Sequence, residues 1–390
     1  MSAVWRPGFA VPDTAPGDLV ITGANVLLPD GTFGGVAAVE VKDGRFGSLD
    51  THVAPWVIDA RGLWLTPGFV DVHTHVAWHE FDPVDRAMLP PAALLQRTGE
   101  GLQRTLRAGI TGVRDAGGFG LELGRALSTL GEPLPTVTRS VAILGAGDAR
   151  GERHLRGRVG ELAEAGAQWI KVAATGGVGA AGRHFEPVFT RGELRALTGA
   201  AERAGLPVMV HAWGGDALTW ALEFGARSIE HAVFLSASQA KLAASTGAVV
   251  VPTVWIYRDV LALATAGVLP GQLVGPAGLA VAAHPAAVAE CLNAGVCLAM
   301  GTDAGMDHQH GANLHEVAAM IDIGVPPSTA LVAATRGGAA LLGHHDRGTV
   351  APGQVADFVL FDRDPSLPGV LRDRSAVVAV ALAGRLVHAR

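Results

Sequence analysis

From about Arg61 onward the chain repeats one rhythm eight times: a short apolar strand, then a helical stretch rich in Ala, Leu and Arg. The strand candidates are LTPGFVDVHTH, GITGVRDAG, TVTRSVAIL, WIKVAAT, PVMVHAW, SIEHAV, AVVVPTVW and VCLAMGTDAG. The helical stretches after them are Pro90 to Arg107, Leu121 to Leu130, Gly151 to Ala167, Arg191 to Ala204, Asp216 to Phe224, Ser236 to Ser245, Pro276 to Ala294 and Leu314 to Ile323. Eight β-then-α units predict an α/β chain, a parallel (β/α)8 TIM barrel. Strands covered on both faces should be almost continuously apolar. Composition agrees, with 49% hydrophobic and 17% charged residues, against a usual charged share of about 25%.

The flanks read differently. Between Gly17 and about Ala60 lie short β-type runs (LVITGANVLL, VAAVEVKDGRF) broken by the hairpin-turn pairs Asp30-Gly31 and Asp43-Gly44. After a further helix, Ser328 to Leu342, DRGTVAPGQVADFVLFD and SAVVAVALAGRLVHA are β-like again. Chain ends commonly lie close together, so residues 1–60 and 346–390 are expected to form one discontinuous β-sandwich beside a barrel of residues 61–345.

A net charge of -6 and the lack of any Lys and Arg run leave no electrostatic footprint for nucleic acid or anionic lipid. MSAVWRPGFAVPDTAPGD has no continuous apolar core and is interrupted by Pro7, Pro12 and Pro16, unlike a signal peptide. No later apolar run reads as approaching the ~18 residues that span a bilayer. A cytoplasmic enzyme without nucleic-acid or membrane partners is expected, and a homo-oligomer is compatible with the sequence. Cys291 and Cys297 read as two small buried hydrophobes rather than a disulfide.

The chemistry gathers at strand ends. His73 and His75 are two apart at the end of the first strand, so their side chains share a face and can grip one ion. His211 closes the fifth strand, His231 the sixth and Asp303 the eighth. The carboxyl ends of barrel strands are where catalytic groups concentrate. A buried His or Asp without a partner is costly, and a shared divalent ion satisfies all of these together. Lys171 is an ammonium inside the apolar run WIKVAAT. It is either a snorkelling or salt-bridged lysine, or an amine that takes up carbon dioxide to become a carbamate bridging two metals.

GFVDVHTH, WIKV, the His of strand five, IEHA and GTDAG stand in the order of the metal-ligand strands of the amidohydrolase superfamily, which the chain resembles over essentially its whole length. PGQVADFVLFD is similar to the strand that opens the C-terminal β-domain of that family. GITGVRDAGG and KVAATGG resemble the group of imidazolonepropionase-like enzymes and metal-dependent Xaa-Pro dipeptidases. The resemblance implies two divalent ions, zinc first and cobalt or manganese as alternatives. It places His73, His75 and Asp303 on one metal, His211 and His231 on the other, and a Lys171 carbamate between them. A hydroxide between the metals would attack, and Asp303 would be the catalytic residue that moves its proton to the leaving amine.

The sequence also departs from the pattern. Where family dipeptidases often carry Gly-Gly-His-Gly after the third strand, this chain has LGAGDARGERH, with no His before His154, which becomes the candidate for that substrate-holding role. Tyr257, the only tyrosine, either bonds a substrate oxygen or packs at the rim. The loops Gly176 to His184 and Gly305 to Gly311, the latter with His308 and His310, are expected substrate walls. Arg183, with Arg150, Arg153 and Arg258, is a candidate clamp for a peptide carboxylate. His344 and His345 are expected to be exposed.

The expected reaction is cleavage of an amide or peptide bond in a small-molecule or peptide substrate: a Pro-containing dipeptide, or a modified precursor as for the amidohydrolases that trim bottromycin-type peptides. Competing readings are a lactonase or phosphotriesterase on the same centre, a mononuclear deaminase, and a dead barrel that only binds. The Ala-Trp-Gly after His211 lacks the Glu that deaminases use, and no ligand position has been lost.

Overall fold

The computed structural model describes residues 3–5, 18–49, 56–180 and 182–390. Most of the N-terminal stretch read above as unlike a signal peptide lies outside them.

Apolar runs become fully buried parallel strands. Phe69–Thr74 and Ile110–Asp115 are buried at every position. With Thr136–Arg139 they make a three-stranded parallel sheet. A five-stranded parallel sheet follows, in the order Ile143–Leu144, Ile170–Ala173, Val208–Ala212, Ser228–His231 and Val249–Val251. Its register sets Ala173 beside His211 and Ala212 beside His231. The expected third strand, TVTRSVAIL, is split where Val141 takes a φ of 69° and Ser140 turns its hydroxyl to the Asp115 carbonyl, 2.9 Å away.

The expected eighth strand is not a continuous ladder. Residues 297–304 make only isolated bridges, Val250 to Leu298 and Thr74 to Ala304. Side chains replace ladder bonds there: Asp71 accepts from the Thr302 backbone at 3.1 Å and its hydroxyl at 2.6 Å, and Asp303 turns to a φ of 57°. The segment still joins the two sheets. Val250 N donates to Cys297 O at 3.0 Å on one side, and Val72 N to Met300 O at 2.9 Å on the other.

The helices fall within a few residues of their expected places because their ends are written in the sequence. Thr190 and Glu193 form a reciprocal capping box on Arg191–Arg203, and Ser236 and Gln239 do so on Ala237–Thr246, which Gly247 ends at a φ of 70°. Three helices were not expected: the five-residue turns Pro83–Ala87 and Pro368–Arg372, and one of 12 residues. AVVVPTVW yields a strand only at Val249–Val251, after which Pro252 removes a donor, Thr253 takes a φ of 52°, and a helix runs Val254–Thr265. Buried Glu316 caps it by accepting from Val254 N at 2.9 Å and Trp255 N at 2.7 Å.

That helix packs against Val274–Asn293. The 23-residue stretch Gly271–Asn293, which holds an 18-residue window of mean hydropathy 1.2, is long and apolar enough to cross a membrane by length and composition, contrary to the expectation from sequence. Gly275, Pro276, Gly278, His284 and Pro285 punctuate the run and disguise its length. Its buried face, Ala277, Ala280, Ala287 and Val288, sits in the protein core.

The chain ends meet in one sheet. Val377–Leu382 and Phe358–Phe361 continue through Trp64–Pro67 to Asn25–Leu27 in a six-stranded sheet. Trp64–Pro67 thus lies beyond the boundary expected at residue 60, and the single expected strand LTPGFVDVHTH is two strands broken at Gly68. A Cβ on Gly68 would come within 2.1 Å of Thr111 Oγ1. A second, five-stranded sheet includes Leu19–Thr22, Ala38–Lys42 and Trp56–Asp59. One hydrophobic cluster draws on both sheets, with Ile21, Val39 and Ile58 beside Leu65, Phe358 and Leu360. Asp43-Gly44 forms the expected hairpin turn, with φ of 49° and 73°. Cys291 is buried but Cys297 is exposed, so the expectation of two buried cysteines fails at the second, which opens the 297–304 segment shortly after the Val274–Asn293 helix. His345 is exposed and His344 only half so.

Candidate metal centre

Parallel strands deliver their carboxyl ends to one side of the molecule, and that is where the His and Asp residues converge. The ligand atoms of His73, His75 and Asp303 lie within 4.8 Å of one another, close enough to hold one metal ion. Asp303 Oδ1 is 3.2 Å from His73 Nε2 and 3.2 Å from His75 Nε2. The rings of His211 and His231 are 4.4 Å apart, and those of His73 and His231 5.0 Å. Lys171 Nζ is 3.4 Å from His73 Nε2.

Each imidazole has one nitrogen committed to the protein. His73 Nδ1 is 2.7 Å from Glu230 Oε2, His75 Nδ1 3.1 Å from Gly117 O, and His231 Nδ1 2.7 Å from Thr253 Oγ1. His211 is reversed: its Nε2 lies 3.1 Å from Gly176 O. An acceptor at one nitrogen holds the proton there and leaves the other lone pair for a metal. The centre is thus offered three Nε2 atoms and one Nδ1. Among the described residues, no third His, Cys, Asp or Glu joins His211 and His231 in a group of three.

Burial and charge tune these groups. Burial pulls the Lys171 ammonium down to about 8, although Glu230 and Asp303 favour its charge. Burial, then the nearby Lys171, pulls His211 down to about 4. His231 is driven well below the usual histidine range by burial and by His211. Burial pushes the Asp303 carboxyl up, but His73, His75 and His231 more than offset it and hold the group well below the usual range. His231 and Asp303 also carry left-handed backbones, with φ of 71° and 57°. Such conformations cost about 1 to 3 kcal/mol each outside glycine and collect where a site over-determines them.

Behind the candidate ligands stand charges that sequence reasoning passed over. Fully buried Glu230 also accepts from Arg114 Nη2 at 3.0 Å, and the Arg114 guanidinium lies 4.3 Å over the Trp169 ring. Burial raises the Glu230 carboxyl, but Arg114 and His73 outweigh it and bring it to about 2. Asp71 accepts from His73 N at 3.1 Å and Asn313 Nδ2 at 2.7 Å. Asp115 accepts from Val76 N at 3.2 Å and Gly117 N at 2.9 Å. The signal was the one that marked Lys171, a charge inside an apolar strand: FVDV, GVRD and SIEH.

The expected substrate residues scatter. Tyr257 is buried on the helix Val254–Thr265, its ring 6.0 Å from that of His231, its hydroxyl accepting from Trp213 Nε1 at 2.8 Å. Arg183 projects outward with 74% of its side chain exposed. His154 is half-buried on Glu152–Glu164, and its side chain makes no hydrogen bond among the described residues. Arg258 pairs with Asp322 at 2.8 Å, and Arg150 and Arg153 are exposed. On the Gly305 to Gly311 loop, His308 is exposed and bonded to Asp259 at 3.1 Å, while buried His310 lies 3.0 Å from Trp78 O. The loop at Gly176 does reach the centre: a Cβ on Gly177 would come within 2.9 Å of His211 Cε1.

Comparison with known proteins gives the same placement. The chain is 28% identical to an uncharacterized protein of Mycobacterium tuberculosis, over 90% of this chain and 92% of that one. It is 26% identical to imidazolonepropionase of Salinispora arenicola, over 86% of this chain and 89% of the relative. Among solved structures it resembles a prolidase complexed with N-methylphosphonate-L-proline, with a TM-score of 0.88, 28% identity, and coverage of 96% of this chain and 100% of the other. Residues 64–387 match the amidohydrolase family model. The chain belongs to the amidohydrolase family and is a hydrolase acting on C–N bonds.

Proposed function

We propose that this protein cleaves an amide or peptide bond, in the manner of a dipeptidase or of an enzyme that trims a modified peptide, at a centre of two divalent ions. One observation carries the reading: four histidines, each with one nitrogen fixed by the protein, leave their other nitrogens to a space shared with Asp303 and Lys171. His73, His75 and Asp303 would hold one ion, His211 and His231 the other, and Lys171 as a carbamate would complete both sets. When bound, two such ions acidify water at neutral pH and polarise the scissile carbonyl. The coverage of the family match, and the 297–304 segment tying the two parallel sheets together, support the (β/α)8 barrel. The core shared by the other two sheets supports a terminal β-sandwich.

The protein's own groups account for the rest. Asp303 keeps 24% of its side chain open whereas His73 keeps 1%, so Asp303 is a ligand that a substrate can meet. The neighbouring histidines keep its carboxyl ionised, so an oxygen lone pair is free to accept a proton from the attacking water and pass it to the leaving nitrogen. Glu230 and Asp71 hold His73 by its ring and its backbone so that it does not yield. What prolidase and imidazolonepropionase relatives do to C–N bonds supports the same bond class here.

The test is turnover by the metal-loaded chain of dipeptides and N-acyl amides against a lactone, a phosphotriester and an aminopyrimidine. Release of equal amounts of acid and amine from an amide is expected. Turnover of the lactone or phosphotriester alone, or ammonia from the aminopyrimidine alone, would overturn the reading.

A further inference from the structure

The four imidazoles of the centre are not anchored alike. His73 rests on the carboxylate of buried Glu230 and His231 on the hydroxyl of buried Thr253, whereas His75 Nδ1 reaches only a backbone carbonyl, Gly117 O, at 3.1 Å. That carbonyl belongs to a pair of glycines, Gly117 and Gly118, with φ of 132° and 114°, a stretch of backbone with little side-chain restraint of its own. The χ2 torsion of histidine is broad, so one bond in the ring plane leaves the imidazole free to tilt about it.

A second contact fixes the plane. The Trp78 ring lies face to face with the His75 ring, with centroids 3.6 Å apart and planes 10° from parallel, the closest and most parallel ring pair among the described residues. The guanidinium of half-buried Arg86, on the short helix Pro83–Ala87, lies 3.7 Å over the same indole. Imidazole and guanidinium cannot share one face of an indole at these distances, so they cover opposite faces and hold Trp78 between them.

The indole is confined at its edges as well. A Cβ on Gly118 would come within 2.9 Å of Trp78 Nε1, and one on Gly305 within 3.2 Å of Trp78 Cε3. Trp78 thus abuts both the turn that supplies the His75 acceptor and the loop that follows Asp303. Its backbone is tied to the same surroundings: Trp78 N donates to His75 O at 2.9 Å, and His310 Nε2 lies 3.0 Å from Trp78 O. A side chain gripped on two faces and two edges can impose its plane on the ring stacked against it.

We propose that Trp78 is a positioning residue: it fixes the plane of the His75 imidazole, and with it the direction in which the Nε2 lone pair meets a divalent ion. This rests on the metal-centre reading above and goes beyond it. The flat face is what matters, so an aromatic ring at position 78 should serve where an aliphatic side chain of similar bulk does not.

The metal-free parent, Trp78→Phe and Trp78→Leu would each be titrated with cobalt(II) against a chelating indicator, with the visible absorption of the bound cobalt and the urea unfolding midpoint recorded alongside. Partners that orient a ligating histidine are worth about 10 to 100-fold in metal affinity, and Trp78→Leu should weaken cobalt binding on that scale. It should also alter the cobalt absorption, and Trp78→Phe should restore most of both. Parent affinity and an unchanged cobalt spectrum in Trp78→Leu would overturn the inference and leave the metal centre standing. Equal losses in the two variants that merely follow their urea midpoints would overturn it too, because position 78 would then serve stability alone. If the parent itself binds no cobalt, the metal-centre reading is what fails, and the inference falls with it.

Discussion

Glu230 Oε2 lies 2.7 Å from His73 Nδ1, while the other oxygen of the same carboxylate receives Arg114 at 3.0 Å, all three side chains being buried. The pair fixes which nitrogen of His73 is left free for a metal, and the arginine keeps the carboxylate charged. Partners of this kind are worth about 10 to 100-fold in metal affinity. Glu230→Gln should therefore lower affinity by that order in a chelator competition. Glu230→Ala, which strands the Arg114 charge, should cost about 3 to 5 kcal/mol in urea unfolding. Unchanged metal affinity in Glu230→Gln would remove the orienting role.

Gly177 is pressed against His211, and an added methyl must displace the ring. Misplacing a ligand by an ångström costs on the order of a hundredfold in rate. Gly177→Ala should lose turnover on that scale and lose bound metal, with an unfolding midpoint within a few degrees of the parent because the loop is not core. Retention of full metal content would contradict the close approach.

Glu316 satisfies the first two backbone N–H groups of the helix that carries Tyr257. Glu316→Ala orphans both in a buried setting, at about 1 to 3 kcal/mol each. Chemical unfolding should register a loss of about 2 to 5 kcal/mol, whereas a loss near zero would mean that water replaces the carboxyl group.

Burial pulls His310 down to about 4 from an ordinary 6.5. Between those values the unfolded chain binds a proton that the folded chain does not, so stability is full above about pH 6.5 and is lost progressively as pH falls toward 4. The share of this one ring is about 3 kcal/mol, at 1.36 kcal/mol per unit. His310→Gln, which keeps a donor for Trp78 O, should flatten the fall in metal-free protein measured at pH 7.5, 5.5 and 4.5. An equally steep fall in the variant would assign the acid sensitivity elsewhere.

Much of this was legible in the sequence. The alternation of strands and helices was visible because fully buried strands leave long apolar runs, and the capping residues mark helix ends. His73, His75 and Asp303 stood out because chemistry-bearing residues at strand ends are placed by the backbone alone. The helix from Val254 was hidden because VWIY is made of strand-favouring residues and its cap, Glu316, comes from 62 positions away. The 297–304 segment looked like a strand because its composition is that of one. Whether side chains or backbone partners hold it depends on Asp71, far off in sequence. Glu230, Arg114 and Asp71 carried the same signal as Lys171, but their partners were fixed only by the fold.

The central claim is a centre that needs Lys171 to hold its second ion. Divalent metal per chain, measured by plasma mass spectrometry on protein purified without added metal or chelator, tests it most directly in the parent and in Lys171→Ala. The account predicts about two ions in the parent, as bridged hydrolytic sites hold, falling clearly in the variant. One ion in the parent, unchanged in Lys171→Ala, would contradict it.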